Sequence, residues 1–381
     1  MKICGITTLP GTAKSFMLPN LQYMAQNGHK CFIISNEDKE TNWGDVFFSP
    51  LRIKWGKVSI LEAIKTIYAL YLVFRKEKFD TVQYATTNAA LYASVAAWMA
   101  RVPVRIYCQW GISYFERKGL DRLIYETAER ITCKCSNHIQ PDSFSNLRFS
   151  FSEKLYSPQK GSVVYNGSAS GVDLNRFNIK NKAQWRQEIV DSLKLSDYSI
   201  VLGYVGRIVR DKGINELLSA FLSINRNDIA LVMVGPVERS QLDDNILSDA
   251  YSRSNIKWTG AVPDTERYFS AFSYYVLPSY HEGFGMAVLE AAAMGVPSII
   301  SNIKGPTDLI THNVNGFICD VKSVQSLKET IELAISLPRE SYISLSENAF
   351  NKAKAEYSAE EFRKEFCHNR ELLLKQHKKL V

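Results

Sequence analysis

The sequence predicts an α/β protein built from two doubly wound domains. Apolar strand-like runs alternate with helical patterns through both halves of the chain, which is typical of parallel sheets with helices on both faces. With 381 residues, of which 46% are hydrophobic and 22% charged, the chain is long enough for two domains with separate cores. A strand, a glycine-rich turn and a helix also follow one another over residues 274–295, as expected where such a sheet binds a ligand.

The first half is predicted to form one of the two domains. Its predicted strands are residues 2–8, 30–35, 81–85, 104–108, 138–140 and 163–167. Its predicted helices lie near residues 15–26, 60–75, 89–100 and 121–133. A small, polar stretch starts at Ser168, and we expect the interdomain linker between it and Asp197.

The second half repeats the pattern. Its predicted strands are residues 199–206, 229–235, 256–260, 274–277, 296–301 and 316–320, with helices between them that include residues 214–222 and a helix from Met286 to Gly295. The predicted domains are residues 1–175 and 176–357. A helical segment over 358–381 carries Phe362 and Phe366, so it either packs through them or is a solvated terminal helix.

The turn after the strand at residues 274–277 carries the strongest chemical signal. Gly283 and Gly285 let the backbone approach a ligand, and a helix that begins at Met286 presents unpaired N–H groups, which favour phosphate. Glu282 and Glu290 bracket this turn. Since carboxylates repel phosphate, we expect these two acids to face sugar or ribose hydroxyls.

Two cations follow the first strand of the second half. Arg207 and Lys212 lie between Gly206 and Gly213, at the end of the strand that precedes the helix at residues 214–222. Because parallel strands end at one edge of a sheet, both cations can meet one anion in the crevice beside Met286. An Arg-x4-Lys pattern is usually solvated, and its position directly after a strand is what favours a binding role.

Candidate ligand residues of the first half also follow predicted strands. They are Gly11, Thr12, Trp110, Asp142 and Asn166. Gly11 is also explained as an ordinary turn glycine, and Asp142 or Ser143 as the cap of the helix that begins there. The first turn lacks the G-x-G-x-x-G pattern, which argues against a dehydrogenase.

Composition restricts the cellular setting. The seven cysteines are scattered through apolar contexts without zinc-site spacing, which is typical of a reducing cytosol. The chain opens directly into a strand-like run, with no signal-peptide pattern and no stretch of about 18 uncharged apolar residues. These features predict a cytoplasmic protein that is neither secreted nor membrane-spanning.

The net charge of +7 belongs to the first half: residues 1–175 hold 21 Lys and Arg against 14 Asp and Glu, and residues 176–381 hold 25 of each. Anionic lipid, a polyprenyl-diphosphate acceptor or nucleic acid would fit such a half, as would a merely solvated basic face. No nucleic-acid motif accompanies the charge, so nucleic acid is disfavoured. Residues 60–79 form an amphipathic pattern with a basic end, which suits either a membrane surface or an ordinary helix packed on a sheet.

Five motifs follow one another between residues 200 and 320. They are Gly203-Tyr-Val-Gly-Arg207-Ile-Val-Arg-Asp-Lys212-Gly213, Val234-Gly235-Pro236, the run from Pro278 to Ala291, Gly295-Val296-Pro297 and Asn315-Gly316. Their order and spacing resemble the donor half of the retaining GT-B glycosyltransferases of family 4, which includes bacterial polysaccharide enzymes. The first half is similar more loosely, through residues 164–167, 171–177 and the Trp110 loop, to members that extend polyprenyl-diphosphate-linked sugars.

The resemblance implies two Rossmann-like domains that face a cleft, with the terminal helix crossing back to the first domain. It implies that Arg207 and Lys212 hold the donor diphosphate, that Glu290 binds the ribose and that Glu282 lies against the donor sugar. Further donor contacts are implied at Gly206, Gly235, Gly283, Phe284, Gly285, Met286, Ala287 and Val288. Many members have a histidine where this chain has Trp110, so no histidine role is transferred.

The expected reaction is retaining transfer of a hexose or N-acetylhexosamine from a nucleotide sugar, with UDP favoured. The expected acceptor is a saccharide, linked to polyprenyl diphosphate, in O-antigen or capsule synthesis at the inner face of the cytoplasmic membrane. No cofactor or metal is expected, because cations and a helix N-terminus can stabilise the leaving diphosphate and D-x-D is absent. A sugar-nucleotide epimerase of similar architecture and an inactive sugar-nucleotide-binding module are the alternatives.

Overall fold

The computed structural model of the chain describes residues 1–54, 56, 58–114 and 117–380. It divides into two compact units: residues 1–171 together with the chain from Ala359 onward, and residues 172–358. Each unit holds one six-stranded parallel sheet with flanking helices, which confirms the predicted fold class. Val381, the last residue of the predicted terminal segment, lies outside the described residues.

The sheet of the first unit has the strand order β3-β2-β1-β4-β5-β6. Its strands are β1 (Lys2–Ile6), β2 (Lys30–Ser35), β3 (Phe47–Pro50), β4 (Thr81–Tyr84), β5 (Val104–Gln109) and β6 (His138–Pro141). Its helices are α1 (Pro10–Thr12), α2 (Leu18–Gln26), α3 (Ile60–Glu77), α4 (Thr87–Met99), α5 (Gly119–Cys135) and α6 (Phe144–Ser152). A π-helical segment, Ala13–Met17, joins α1 to α2.

The strand predictions for the first unit contain one error and one omission. Residues 163–167 form a turn, because Tyr165 and Gly167 have φ values of 51° and 101° that no ladder accommodates. The edge strand β3 was missed, since its residues are mostly exposed and lack an apolar alternation. The cap of α6 is Ser143, whose hydroxyl accepts from the Asn146 amide at 3.3 Å, so capping does not explain Asp142.

The sheet of the second unit has the order β12-β11-β10-β7-β8-β9. Its strands are β7 (Ile200–Val205), β8 (Ile229–Val234), β9 (Ile256–Gly260), β10 (Tyr274–Leu277), β11 (Ser298–Ser301) and β12 (Gly316–Cys319). Its helices are α7 (Lys182–Leu193), α8 (Ile214–Ser223), α9 (Asp244–Ser252), α10 (Thr265–Ala271), α11 (Met286–Ala293), α12 (Pro306–Leu309), α13 (Val324–Ile335) and α14 (Arg339–Glu356). Every residue of β8 is buried, as expected for a central strand covered on both faces.

The linker predicted to reach Asp197 was wrong over most of its length. Residues 182–193 form α7, which packs against α10 within the second unit and buries Ile189. The Lys182 ammonium also donates to the Gly295 carbonyl at 3.1 Å. The polar composition of this segment therefore belongs to the exposed face of a helix, and the division between the units falls at Gly171 and Val172.

The last helix, α15 (Ala359–Leu380), belongs to the first unit. It contacts α2 and β5 and buries Phe362 and Phe366, so the solvated-helix alternative is wrong. Arg370 is fully buried, and its Nε and Nη2 both donate to the Gln83 Oε1 at 3.1 Å. None of the helices in the described part of the chain has the length and apolar character that crossing a bilayer requires.

Candidate active site

The second sheet reverses its direction of strand addition between β7 and β10. Loops that leave the carboxyl ends of these neighbouring strands turn opposite ways, and the crevice that opens there is the usual ligand position in such sheets. Residues 206–213 follow β7 and residues 278–285 follow β10. The Asp211 carbonyl accepts from the Tyr280 amide at 2.9 Å and holds the two loops together.

A salt bridge crosses this switch point. The Lys212 Nζ lies 2.7 Å from the Glu282 Oε1, and the Ser279 hydroxyl donates to the same oxygen at 2.8 Å. The side chains of Lys212 and Glu282 are only 19% and 15% exposed, so the pair is well shielded from water. The structure thus joins a predicted phosphate-binding cation to a predicted sugar-binding acid.

Arg207 has a different carboxylate partner, which sequence analysis did not identify. Its Nη1 lies 3.3 Å from the Glu238 Oε1, and both side chains are largely exposed. The loops after β7 and β8 continue to pair beyond the strands, since the Ile208 and Glu238 amides donate to Pro236 and Ile208 carbonyls. This pairing sets Arg207 opposite Glu238. The convergence of Arg207 and Lys212 on one anion stays a prediction.

Glycines let the loops of this crevice touch. Gly213 has φ 69°, and a Cβ there would lie 2.0 Å from the Pro278 carbonyl oxygen. Likewise, a Cβ on Gly235 would lie 1.8 Å from the Gly206 carbonyl oxygen. The close approach of backbone to backbone leaves no room for a side chain at either position.

The helix α11 begins beside the salt bridge. Its N-cap residue, Gly285, has φ 88° and no side chain with which to cap the first turn. Phe284 and Val288 are buried in the hydrophobic core, whereas Met286 and Ala287 are partly exposed. Of the predicted contacts in this stretch, Phe284 and Val288 can therefore offer a ligand only their main chain.

Gly283 lies under a loop that the sequence analysis did not single out. A Cβ on Gly305, whose φ is 92°, would lie 2.2 Å from the Gly283 carbonyl oxygen. The Gly305-Pro306 pair, which follows β11 after Asn302, Ile303 and Lys304, is a turn signal that would have indicated this loop.

Glu290 lies within α11 and is partly buried. Burial raises the pKa of its carboxyl to about 7, with Glu266 raising it further and Arg176 opposing. Arg176 is held in place by the Glu266 carboxylate at 2.9 Å. Burial raises the pKa of Tyr275 most, and Tyr204, Glu282 and Glu290 raise it further, so both acids are within electrostatic range of one tyrosine.

The sequence analysis did not identify three further polar residues of the crevice as candidates. The His281 Nε2 lies 3.7 Å from the Asp211 Oδ2, and the Tyr280 hydroxyl donates to Glu216 at 2.7 Å. The ammonium of Lys322 lies 4.5 Å from the centroid of the Tyr280 ring. The signal for His281 and Tyr280 was their place in the turn before Glu282.

In the first unit, three of the candidates follow β1 and β5 at the carboxyl end of the sheet. Gly11 and Thr12 lie in the short helix α1 after β1, and the Trp110 ring after β5 makes an edge contact with Phe16 at 5.4 Å. A Cβ on Gly11 would meet no atom within 4 Å, so the fold does not require glycine there.

The other two candidates are linked through the main chain. Asp142 is buried after β6, and its carbonyl accepts from the Ser168 amide at 2.6 Å. This bond fixes the turn that contains Asn166. Next to α1, the Thr8 and Thr86 hydroxyls lie 2.9 Å apart, and Thr86 has a φ of 64° that is rare for a β-branched residue.

Family models match both units of the chain. "Glycosyl transferases group 1" matches residues 186–352, and "Glycosyl transferase 4-like" matches residues 5–143. Together these matches include the loops after β7 and β10 as well as those after β1, β5 and β6.

Curated relatives are similar over most of their length. The chain is 27% identical over 324 residues to the capsular polysaccharide biosynthesis glycosyltransferase CapM of Staphylococcus aureus, covering 84% of each protein. It is 28% identical over 288 residues to the UDP-Gal:alpha-D-GlcNAc-diphosphoundecaprenol alpha-1,3-galactosyltransferase of Escherichia coli, covering 74% of this chain and 72% of that one.

A solved structure shares the fold. The crystal structure of Anabaena Alr3699/HepE in complex with UDP has a TM-score of 0.77 and 16% identity, and the match covers 97% of this chain and all of that one. The two family matches, the relatives and the paired sheets agree with the motifs between residues 200 and 320. The chain belongs to the GT-B glycosyltransferases of family 4.

Proposed function

We propose that this glycosyltransferase moves a hexose or N-acetylhexosamine from a UDP-sugar, with retention, to a saccharide linked to polyprenyl diphosphate. The product would serve a bacterial capsule or O-antigen. The observation that carries the proposal is the Lys212–Glu282 pair at the switch point, beside the uncapped start of α11. One side chain suits a phosphate and the other a hydroxyl, which are the two chemistries of a nucleotide sugar.

The donor diphosphate would lie among Lys212, Arg207 and the first turn of α11. As the bond to the sugar breaks, negative charge grows on the leaving diphosphate. Cations and helix amides that are already in place stabilise this charge without reorganisation. No residue is needed as a metal ligand or general base in this scheme, because a phosphate oxygen can accept the proton of the acceptor hydroxyl.

The acids would orient the donor. Glu282 accepts two hydrogen bonds from protein side chains and would exchange one of them for a sugar hydroxyl. Glu290, which takes no part in the salt bridge and is within electrostatic range of Arg176, would accept from the ribose hydroxyls. UDP is favoured as the nucleotide because the E. coli relative is named for UDP-Gal and the Anabaena structure contains UDP.

The acceptor would be bound by the first unit. Thr12, Trp110 and Asn166 lie at the carboxyl edge of its sheet, and an indole face suits the apolar face of a sugar ring. The diphosphoundecaprenol in the name of the E. coli relative supports a lipid-linked acceptor. The excess of basic residues in residues 1–175 is consistent with such an anionic acceptor.

A lipid-linked acceptor also implies contact with an anionic membrane. The helix α3 buries Leu70 and Phe74 against the unit, so part of it is an ordinary sheet-packing helix. Five of its large apolar side chains are exposed: Ile60, Leu61, Ile64, Tyr68 and Leu72. The helix α5, which like α3 packs against α4, also exposes Leu120, Leu123 and Ile124. Exposed apolar side chains with Arg75 and Lys76 at the helix end match an anionic bilayer surface.

The test is a panel of UDP-, GDP- and ADP-sugars, each offered with and without a synthetic acceptor that carries a saccharide on polyprenyl diphosphate. We expect release of UDP only when the acceptor is present, and NMR of the product should show the anomeric configuration of the donor. Activity should persist after treatment with EDTA. Conversion of a nucleotide sugar without acceptor would instead indicate an epimerase, and binding without turnover an inactive module.

A further inference from the structure

A cluster of metal-ligating side chains lies in the first unit, outside the candidate active site. The His29 Nε2 is 3.0 Å from the Glu371 Oε1 and 3.7 Å from the Cys367 Sγ. The three ligand atoms all lie within 4.8 Å of one another. We propose that His29, Cys367 and Glu371 form a binding site for zinc or a similar divalent transition metal.

The local fold brings these three residues together. His29 precedes β2, and Cys367 and Glu371 are four residues apart on α15, so both project from one face of that helix. The ligands thus come from two segments that are far apart in sequence. A metal bound by all three would fasten α15 to the start of β2.

The distances suit tetrahedral coordination. With metal bonds of about 2.3 Å to sulfur and about 2.1 Å to nitrogen or oxygen, ligand atoms at the corners of a tetrahedron lie about 3.4–3.6 Å apart. The two observed distances from His29, 3.0 and 3.7 Å, bracket these values, and the Cys367 and Glu371 ligand atoms lie within 4.8 Å of each other. The Glu371 side chain is 39% exposed, so it has room to adjust, and its solvent side leaves a fourth position for water.

The chemistry of the ligands points to the same class of metal. Imidazole and thiolate select zinc, cobalt or nickel over magnesium and calcium, which prefer oxygen ligands. Cys367 is buried and the side chain of His29 is only 11% exposed, so a bound ion would be largely shielded from solvent.

Cobalt is the probe that tests the site. Metal-free full-length protein, kept reduced, should bind one Co²⁺ and develop a thiolate-to-cobalt charge-transfer band with the intense visible absorption of a tetrahedral site. Cys367→Ser should abolish the charge-transfer band. His29→Gln and Glu371→Gln should each weaken binding at least 10-fold, and Zn²⁺ should displace the cobalt.

Cys135→Ser is the matched control, because Cys135 is a free and more exposed thiol of the same unit that lies outside the cluster. It should bind Co²⁺ as the unaltered chain does. A wild-type protein without a charge-transfer band, or a band that persists in Cys367→Ser, would overturn the proposal. If Cys367→Ser does not fold, unchanged Co²⁺ affinity in His29→Gln would be equally decisive. None of these readouts depends on sugar transfer.

Discussion

The Lys212 ammonium and the Glu282 carboxylate lie 2.7 Å apart across the switch point of the second sheet. Each would therefore have a protein partner before any ligand arrives. A diphosphate would compete with Glu282 for Lys212, whereas a sugar hydroxyl at Glu282 would release Lys212 to the phosphate. In the proposed function, the pair would thus couple recognition of the sugar to recognition of the leaving group.

The first prediction separates these two roles. In Glu282→Gln the side chain no longer neutralises Lys212, so free UDP should bind at least as tightly as in wild type while sugar transfer falls about 100-fold or more. In Lys212→Met the affinity for UDP itself should fall by about 2–4 kcal/mol. Calorimetry with UDP and turnover of the donor check both.

The same two variants also report on stability. Lys212→Met leaves Glu282 partly buried without its cation, which should cost about 1–3 kcal/mol in the free energy of unfolding. If Glu282→Gln loses UDP affinity as severely as Lys212→Met, the pair acts as a unit that shapes the crevice, and the division of roles is wrong.

Arg207 is the subject of the second prediction. Arg207→Ala should lower kcat/KM for the donor by about 2–4 kcal/mol of transition-state stabilisation, because the guanidinium would stabilise the leaving diphosphate. Arg226→Ala is the control. Arg226 is also exposed and paired with an acid, Asp228, but it precedes β8 and therefore lies at the amino ends of the strands, away from the crevice. Equal activities in the two variants would refute a phosphate role for Arg207.

The third prediction follows from the raised pKa of Glu290. The pKa of its carboxyl is about 7 instead of the ordinary 4.5, so the folded state holds this proton more tightly than the unfolded state. The resulting contribution to the free energy of unfolding is fully present below about pH 4.5 and is lost as the pH rises through 7. Ionised Glu290 is the better acceptor for ribose hydroxyls. UDP affinity relative to Glu290→Gln should therefore rise between pH 6 and 8, as measured by calorimetry.

Ionisation of UDP itself changes the affinity of both proteins equally, so its effect cancels in the ratio of the wild-type affinity to that of Glu290→Gln. Arg176→Gln should move the rise to higher pH, because Arg176 opposes the increase in the pKa of Glu290. A ratio of affinities that does not change with pH would show that Glu290 makes no contact with the nucleotide.

The fourth prediction concerns loop contact at the switch point. Gly213→Ala should destabilise the protein more than Gly260→Ala, although the two glycines have nearly the same φ of 69° and 70°. Left-handed backbone costs each alanine about 1–2 kcal/mol. Only at Gly213 does the added Cβ collide with a backbone oxygen, that of Pro278, which adds about 1–3 kcal/mol or more. Chemical denaturation measures both, and equal losses would contradict the close approach.

The sheets were largely predictable because buried parallel strands are continuous apolar runs. The strands at residues 30–35, 256–260 and 274–277 have the predicted bounds, and Gly260 and Pro278 mark the ends of the last two. Where the apolar signal is absent, prediction failed. The exposed strand β3 was missed, and the polar helix α7 was taken for a linker, because packing rather than composition defines both.

The candidate site was predictable in its positions but not in its pairings. Sequence order placed Lys212 and Glu282 after strands, and the fold brings those strands side by side. The partner of Arg207 depends on how the loop after β8 continues to pair beyond Val234, and no local pattern encodes that. The closeness of His29 to Cys367 depends on where α15 packs, so the spacing of cysteines alone gave no metal site.

The last prediction concerns the membrane. Each basic side chain near an anionic bilayer contributes on the order of 1 kcal/mol, and salt screens this attraction over about one Debye length. Sedimentation with phosphatidylglycerol vesicles should therefore fall steeply as salt rises. Lys76→Glu combined with Lys78→Glu should weaken binding to the vesicles and leave UDP affinity unchanged, because both residues lie at the end of α3 in the first unit.

The matched control is Lys180→Glu combined with Lys194→Glu, which changes the net charge equally at two exposed lysines of the second unit. This control should sediment with vesicles as wild type does. Leu61→Ser combined with Ile64→Ser should weaken the binding that persists at high salt, because apolar insertion is not screened. Absence of vesicle binding at low salt would leave the basic charge as a solvated face. Equal losses in the two lysine pairs would show that net charge alone attracts the protein, and that α3 is not the contact surface.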